Sequence, residues 1–96
     1  MHVISKKKLK DFWEHHPESR KPLEVWFKVV RASRYHTFHQ LRMTFPKADK
    51  VGDKVVFDLG GNKYRLITVI HCNRFKVYVR DVLTHEEYDK GGWKDG

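Results

Sequence analysis

The stretch KVVFDLGGNKYRLITVIHCNRFKVYVRDVLTHEEYD, from Lys54 to Asp89, restricts the possible folds more than any other part of the chain. Three runs rich in β-branched and aromatic residues are separated by Gly60-Gly61-Asn62 and by Cys72-Asn73-Arg74. Strand-forming runs joined by short turn-forming clusters predict two consecutive β-hairpins, an antiparallel meander. Side chains alternate across a strand, so turn length decides which residues share a face. A two-residue first turn, Gly60-Gly61 or Gly61-Asn62, groups Lys54, Val56 and Asp58 with Lys63, Arg65, Ile67, Val69 and His71. A two-residue second turn, Cys72-Asn73 or Asn73-Arg74, adds Lys76, Tyr78, Arg80 and Val82 to that face. The other face then holds Val55, Phe57, Leu59, Tyr64, Leu66, Thr68, Ile70, Phe75, Val77, Val79 and Leu83, with Asp81 as its one charged member. One face is expected to be a core and the other cationic.

A polar face alone means little, because antiparallel sheets commonly expose one side to water. Arg65 and Arg80 set this face apart. Both are mid-strand with apolar or aromatic neighbours, and a guanidinium offers phosphate a planar fork of donors.

The remaining chain reads mainly as helix. His2-Val3-Ile4 is a short strand, and Ser5 is the expected N-cap of a helix from Lys6 to about His15. Leu9, Phe12 and Trp13 form its apolar stripe. Lys6, Lys7, Lys8 and Lys10 crowd its first turns against the helix dipole. Pro17 ends it. A second helix starts between Ser19 and Pro22 and runs to about Ala32, with Leu23, Trp26, Phe27 and Val30 as its stripe, widened by Val25 and Val29. Trp13 and Trp26 read as core. Thr37 and Gln40 form a capping-box pattern for a short helix stopped by Pro46, and Thr84 and Glu87 form a second, opening a helical turn after the last strand. Residues 48–53 read as a polar turn region, and residues 90–96 as a fraying tail.

The 96 residues suit one domain, residues 1–96, and the 40% hydrophobic content fits a folded chain. No apolar run is long enough to span a membrane and the first residues lack a signal-peptide core, so a cytoplasmic protein without membrane contact is expected. Cys72 is the one cysteine, which excludes an intrachain disulfide and a cysteine-based zinc site. The histidines supply no complete zinc set at standard spacing, and no metal or other cofactor is implied. Gly60-Gly61-Asn62 is not a phosphate loop, since no helix follows it. A net charge of +8 and a pI near 9.7 favour a polyanionic partner, above all nucleic acid.

His85 and Tyr88, at i and i+3 beyond the last strand, face similar directions near the rim of the surface bearing Arg65 and Arg80. RNA brings its own nucleophile, the 2′-hydroxyl, so a protein need only hold the backbone in line, neutralise the phosphorane and assist two proton transfers. Histidine suits the proton transfers and arginine the developing charge. A purely structural role for His85 within its capped turn stays open on these grounds. Two non-enzymatic readings also stay open: an RNA- or ribosome-binding basic protein that cuts nothing, and an interaction module for an acidic partner.

Residues 56–66 (VFDLGGNKYRL) and 78–89 (YVRDVLTHEEYD) resemble the HigB family of bacterial toxin–antitoxin systems, within the RelE-like superfamily. The opening Met1-His2-Val3-Ile4-Ser5 followed by a lysine-rich helix is similar too. The resemblance implies an α+β, RelE-like fold: an antiparallel sheet of about four strands, two N-terminal helices packed on one face and a short C-terminal helical turn. It implies an endoribonuclease that cleaves mRNA on the ribosome without metal. It also implies neutralisation by a HigA-like helix-turn-helix antitoxin, with operator DNA bound only through the antitoxin complex. Asn62 and Arg65 match the GGNxxR pattern, and Arg80, His85 and Tyr88 match RxVxTHxxYD. The expected roles are Arg65 and Arg80 on the scissile phosphate, with His85 and Tyr88 assisting 2′-hydroxyl attack and leaving-group departure. Asn62 is an expected RNA contact, and Lys54, Lys63 and Lys76 join it on the face argument.

Overall fold

A computed structural model describes residues 1–95. The α+β class is as expected, but the sheet has five strands rather than four, in the order β1-β5-β4-β3-β2. The meander consists of β3 (Lys54–Leu59), β4 (Tyr64–His71) and β5 (Lys76–Thr84), paired antiparallel. The additional strand, β2 (Asp49–Val51), forms where a polar turn was expected and pairs antiparallel with β3. On the opposite edge, β1 (His2–Ile4) pairs with β5 in parallel, so the sheet is mixed. β1 falls on the short strand expected at His2-Val3-Ile4, whereas β2, three residues in a polar stretch, carries too little alternation to be read from sequence and is decided by its pairing with β3.

Both meander turns are longer than expected. Leu59 pairs with Tyr64 and His71 with Lys76, so the turns hold the four residues 60–63 and 72–75. Four is still even, and the face assignment of β3 and β4 therefore survives. Gly60, Gly61 and Asn62 all take positive φ, at 63°, 61° and 78°. Glycine enters this region freely and asparagine tolerates it. At Gly60 a β-carbon would also lie 2.8 Å from Tyr64 Cδ2.

Within β5 the face assignment fails. Thr68 pairs with Val79 but Ile67 pairs with Asp81, leaving Arg80 as the extra residue of a β-bulge. Beyond it the alternation inverts. Val82, expected on the cationic face, joins the main core, whereas Leu83, expected in that core, packs with Val56 and Ile67 on the other side. Asp81, expected on the core face, is exposed opposite Ile67.

Helices α1 (Lys6–His15) and α2 (Arg20–Arg31) cover one sheet face, linked by a 3-10 turn at Pro17–Ser19. Leu9, Leu23, Trp26 and Val30 are buried against Phe57, Leu66, Val77 and Val79. Trp13 is only half-buried and Val25 is 53% exposed, so the apolar stripe is narrower than expected. Ser5 takes a left-handed conformation and makes no side-chain cap. Neither helix has an acidic residue in its first turn. The Met1 amino group donates to the carbonyls of Val30, Arg31 and Ser33 at the end of α2. α3 (Phe38–Thr44) is capped by Thr37 Oγ1, which accepts from Gln40 N–H at 3.2 Å. Gln40 Oε1 reaches past the cap to accept from His36 N–H at 2.7 Å.

The opposite face is not simply cationic. α4 (His85–Asp89) and a 3-10 turn at Gly92–Asp95 fold back over it, so that Tyr88 and Trp93 pack on Val56, Ile67 and Leu83. The tail expected to fray is thus ordered through Trp93; Gly96 lies outside the described residues. Among the described residues no helix is long and apolar enough to cross a membrane.

Candidate functional site

Arg65 and Asp58 face each other across β3 and β4 with an N–O separation of 3.1 Å. Their side chains are only 11% and 19% exposed, so this pair is largely withdrawn from water. The Arg65 Nη1 group also donates to the carbonyls of Asn62 (3.1 Å) and Tyr64 (3.3 Å). Its Nη2 group donates to Asn62 Oδ1 (3.0 Å) and His85 Nδ1 (3.2 Å). Both terminal nitrogens are therefore engaged within the protein. The left-handed backbone of Asn62 brings both its carbonyl and its side chain to the arginine.

His85 is held from both sides. An arginine donor requires a lone pair on Nδ1, so the ring proton sits on Nε2, which lies 3.0 Å from Asp89 Oδ2. The backbone N–H of His85 donates to the Lys63 carbonyl at 2.9 Å, which fastens the start of α4 to the glycine turn. Tyr88 lies on the same side of the helix: the Arg65 guanidinium is 5.3 Å from its ring centroid, within cation–π range. Tyr88 also stacks with Trp93 at 4.9 Å, and the Trp93 indole N–H donates to the Tyr88 carbonyl at 3.0 Å. Arg65, His85 and Tyr88 thus come together as the spacing predicted, but with Arg65 as their anchor.

The orientation of α4 is set by the expected capping box. Thr84 Oγ1 accepts from Glu87 N–H (3.3 Å) and Glu87 Oε1 accepts from Thr84 N–H (3.0 Å). A Thr84→Ala substitution removes this cap and should lower stability by about 1 kcal/mol, or roughly 4–8 °C in Tm, in a thermal melt. The His85 ring resonances should broaden or shift in the same variant.

Arg80 lies apart from the Arg65 hydrogen-bond network. As the bulge residue it is exposed, and it lines a basin of about 550 Å³ with Lys54, Lys8, Lys90, Trp93 and two carboxylates, Asp81 and Glu87, over the apolar side chains of Ile67 and Leu83. Lys8 Nζ donates to the Arg80 carbonyl at 3.0 Å and so ties α1 to the bulge. Lys54 is mostly buried, 3.6 Å from Asp53 Oδ1, and opens into the basin. The basin and the Arg65 cluster share a sheet face and meet at α4 and the Tyr88–Trp93 stack.

Two lysines go elsewhere. The Lys63 ammonium lies 3.6 Å from Glu18 Oε2 in the turn between α1 and α2, so its backbone, not its charge, serves the cluster. Lys76 sits at the far end of β5, beside His71, roughly 25 Å along the strand from Thr84. Reading the sequence missed Asp89, Asp58, Lys8, Lys90 and Trp93 as members of this region. Asp89 was detectable as the i, i+4 partner of His85, and Asp58 as the strand neighbour of Arg65. Among the described residues no three His, Cys, Asp or Glu side chains form a group that could hold a metal ion.

Most of the chain is similar to known proteins. Residues 19–91 match the model of the HigB_toxin family, described as the RelE-like toxic component of a toxin–antitoxin system. The chain is 35% identical over 92 residues to the mRNA interferase toxin HigB of Escherichia coli (strain K12), covering 93% of this chain and 88% of that protein. An mRNA interferase HigB of Shigella flexneri matches with the same identity and coverage. That of Escherichia coli O6:H1 is 31% identical over 93 residues, covering 94% and 90% of the two chains.

Proposed function

The chain belongs to the HigB toxin family, and on that footing we propose that the Arg65, His85 and Tyr88 cluster with the adjoining cationic basin is its ribonuclease site. The protein is an mRNA-cleaving toxin, with an RNA substrate and an antitoxin partner. The observation that carries the site is the single guanidinium that holds a histidine and a tyrosine together beside a basin whose four cations outnumber its two carboxylates.

In the proposed reaction the RNA backbone lies in the basin with a phosphate against Arg80 and Lys54. The 2′-oxygen attacks the adjacent phosphorus, the bond from phosphorus to the 5′-oxygen breaks, and the products are a 2′,3′-cyclic phosphate and a 5′-hydroxyl. His85 and Tyr88 divide the two proton transfers, one removing the 2′-hydroxyl proton and one supplying the 5′-oxygen. Arg80 and Lys54 offset the charge that builds on the phosphorane. Arg65 adds positive charge nearby but acts first by fixing His85 and Tyr88 relative to each other. This modifies the direct phosphate grip expected for Arg65, because its terminal nitrogens already have partners.

The reaction so written needs no metal, and cleavage should persist in EDTA. The same proposal places the toxin in the cytoplasm, acting on ribosome-bound mRNA. It also makes the antitoxin a HigA-like helix-turn-helix protein, with operator DNA reached only through the complex. Primer extension on mRNA after induced expression tests the site. The parent should produce new 5′ ends at defined positions, and Arg80→Ala and His85→Ala should each reduce them by about 10²-fold or more. Unchanged ends in both variants would overturn the assignment.

A further inference from the structure

α4 and the 3-10 turn after it cover only one half of the sheet face that carries the ribonuclease site. On the other half, toward the second meander turn, paired residues of neighbouring strands share a face and line up in two transverse rows. Ile4 of β1, Tyr78 of β5 and Val69 of β4 form the first row, which Lys54 of β3 and Val51 of β2 continue. His2, Lys76 and His71 form the second. Ile4, Val69 and Tyr78 are half-buried but pack against neither of the two hydrophobic clusters. The Tyr78 ring meets His71 edge-to-face, with centroids 5.4 Å apart and planes at 87°. Neither row contains a carboxylate, although Asp53 flanks Lys54 at 3.6 Å. Among the described residues, no salt bridge engages Lys76 or Arg74 in the adjoining turn. Lys54 belongs both to the first row and to the basin, so the two surfaces are continuous.

We propose that this half-face is a platform for single-stranded RNA, holding the nucleotides that flank the cleaved bond on one side. The inference deepens the ribonuclease reading and rests on it. Continuity selects the occupant. A strand held at Arg80 that runs on along β5 meets Tyr78 after about 7 Å and Lys76 after about 13 Å, at roughly 3.3 Å per residue. The chemistry fits the same occupant. Unpaired bases stack on aromatic rings exposed on an open sheet, while nearby cations neutralise the backbone. Tyr78 and His71 supply the rings, and Lys76, Lys54 and Arg74 supply the charge. A stable protein interface needs a packed apolar centre, and Ile4, Val51 and Val69 are too few to make one. Stacking tolerates any base, so the platform adds affinity for RNA rather than a choice of sequence. It also gives Lys76, remote from the cleavage chemistry, a task on the face it shares with Arg80.

The test is fluorescence anisotropy with 2′-O-methyl RNA, which lacks the nucleophile and is bound without being cut, offered as a tetramer and as a dodecamer of mixed sequence. The parent should bind the dodecamer more tightly than the tetramer by about tenfold or more. Tyr78→Ala should remove most of that advantage and leave the tetramer affinity unchanged. Lys76→Glu should weaken the dodecamer in the same direction and lower the slope of log affinity against log salt by about one. Thermal melts check that both variants fold, and Lys76→Glu decides the matter if the loss of the Tyr78 ring unfolds the chain. A dodecamer bound as tightly as by the parent in both variants would overturn the proposal. Equal weakening of tetramer and dodecamer would also overturn it, because both residues would then belong to the basin. So would unchanged RNA affinity with weakened antitoxin binding, which would make the half-face a protein surface. Cleavage surviving in His85→Ala, by contrast, would count against the ribonuclease site and leave the RNA affinities to decide the platform.

Discussion

Arg65→Ala should silence the toxin and loosen the fold together. Removing the guanidinium strands Asp58, a carboxylate only 19% exposed, without its partner. Breaking a largely buried ion pair from one side costs about 3 kcal/mol. For a domain of this size that is a fall of roughly 15 °C in Tm. The same change releases Asn62, His85 and Tyr88 from their shared anchor, and cleavage should drop by about 10³-fold through lost positioning and lost charge. The double variant Asp58→Ala/Arg65→Ala separates the two effects. With the unpaired carboxylate gone it should recover a good part of the lost stability, yet stay inactive. Cleavage at the parental rate in either variant would remove Arg65 from the site.

The largest effect on stability alone is expected from Phe57→Ala. Phe57 is 1% exposed and meets Trp26 edge-on at 5.4 Å and Phe45 at 5.1 Å. It is the point where β3, α2 and the residue closing α3 converge. Truncating a buried phenylalanine costs about 3–5 kcal/mol, a large share of the roughly 5–15 kcal/mol that holds a typical domain together. The melting temperature should fall by roughly 20 °C or more, and the variant should be partly unfolded near growth temperature. Phe57→Leu, which refills most of the volume, should recover most of that loss. A melting temperature within a few degrees of the parent for Phe57→Ala would mean that the helical layer does not depend on this contact.

The capped turns and the meander were legible for the same reason: their signals are local. Thr84 and Glu87 satisfy each other's backbone within four residues, and the parity of β3 and β4 follows from two-residue alternation across an even turn. Hence Asp58 on the same face as Arg65, and His85 beside Tyr88, could be anticipated although the turn lengths were not. Lys63 shows the limit of that reasoning. A residue within a turn has no strand parity, and its charge went to Glu18 while its carbonyl went to His85.

The residues alone therefore determined a basic, single-cysteine chain with a helical layer, a meander and a histidine–tyrosine turn, because each depends on spacing within one segment. Tertiary structure decided where Arg80 projects, since a bulge is an accommodation between neighbouring strands that leaves no periodic mark. It also decided that Trp93 closes over Tyr88, a contact won by covering Val56 and Ile67 together with Leu83, the last of which the inverted end of β5 had brought to that face.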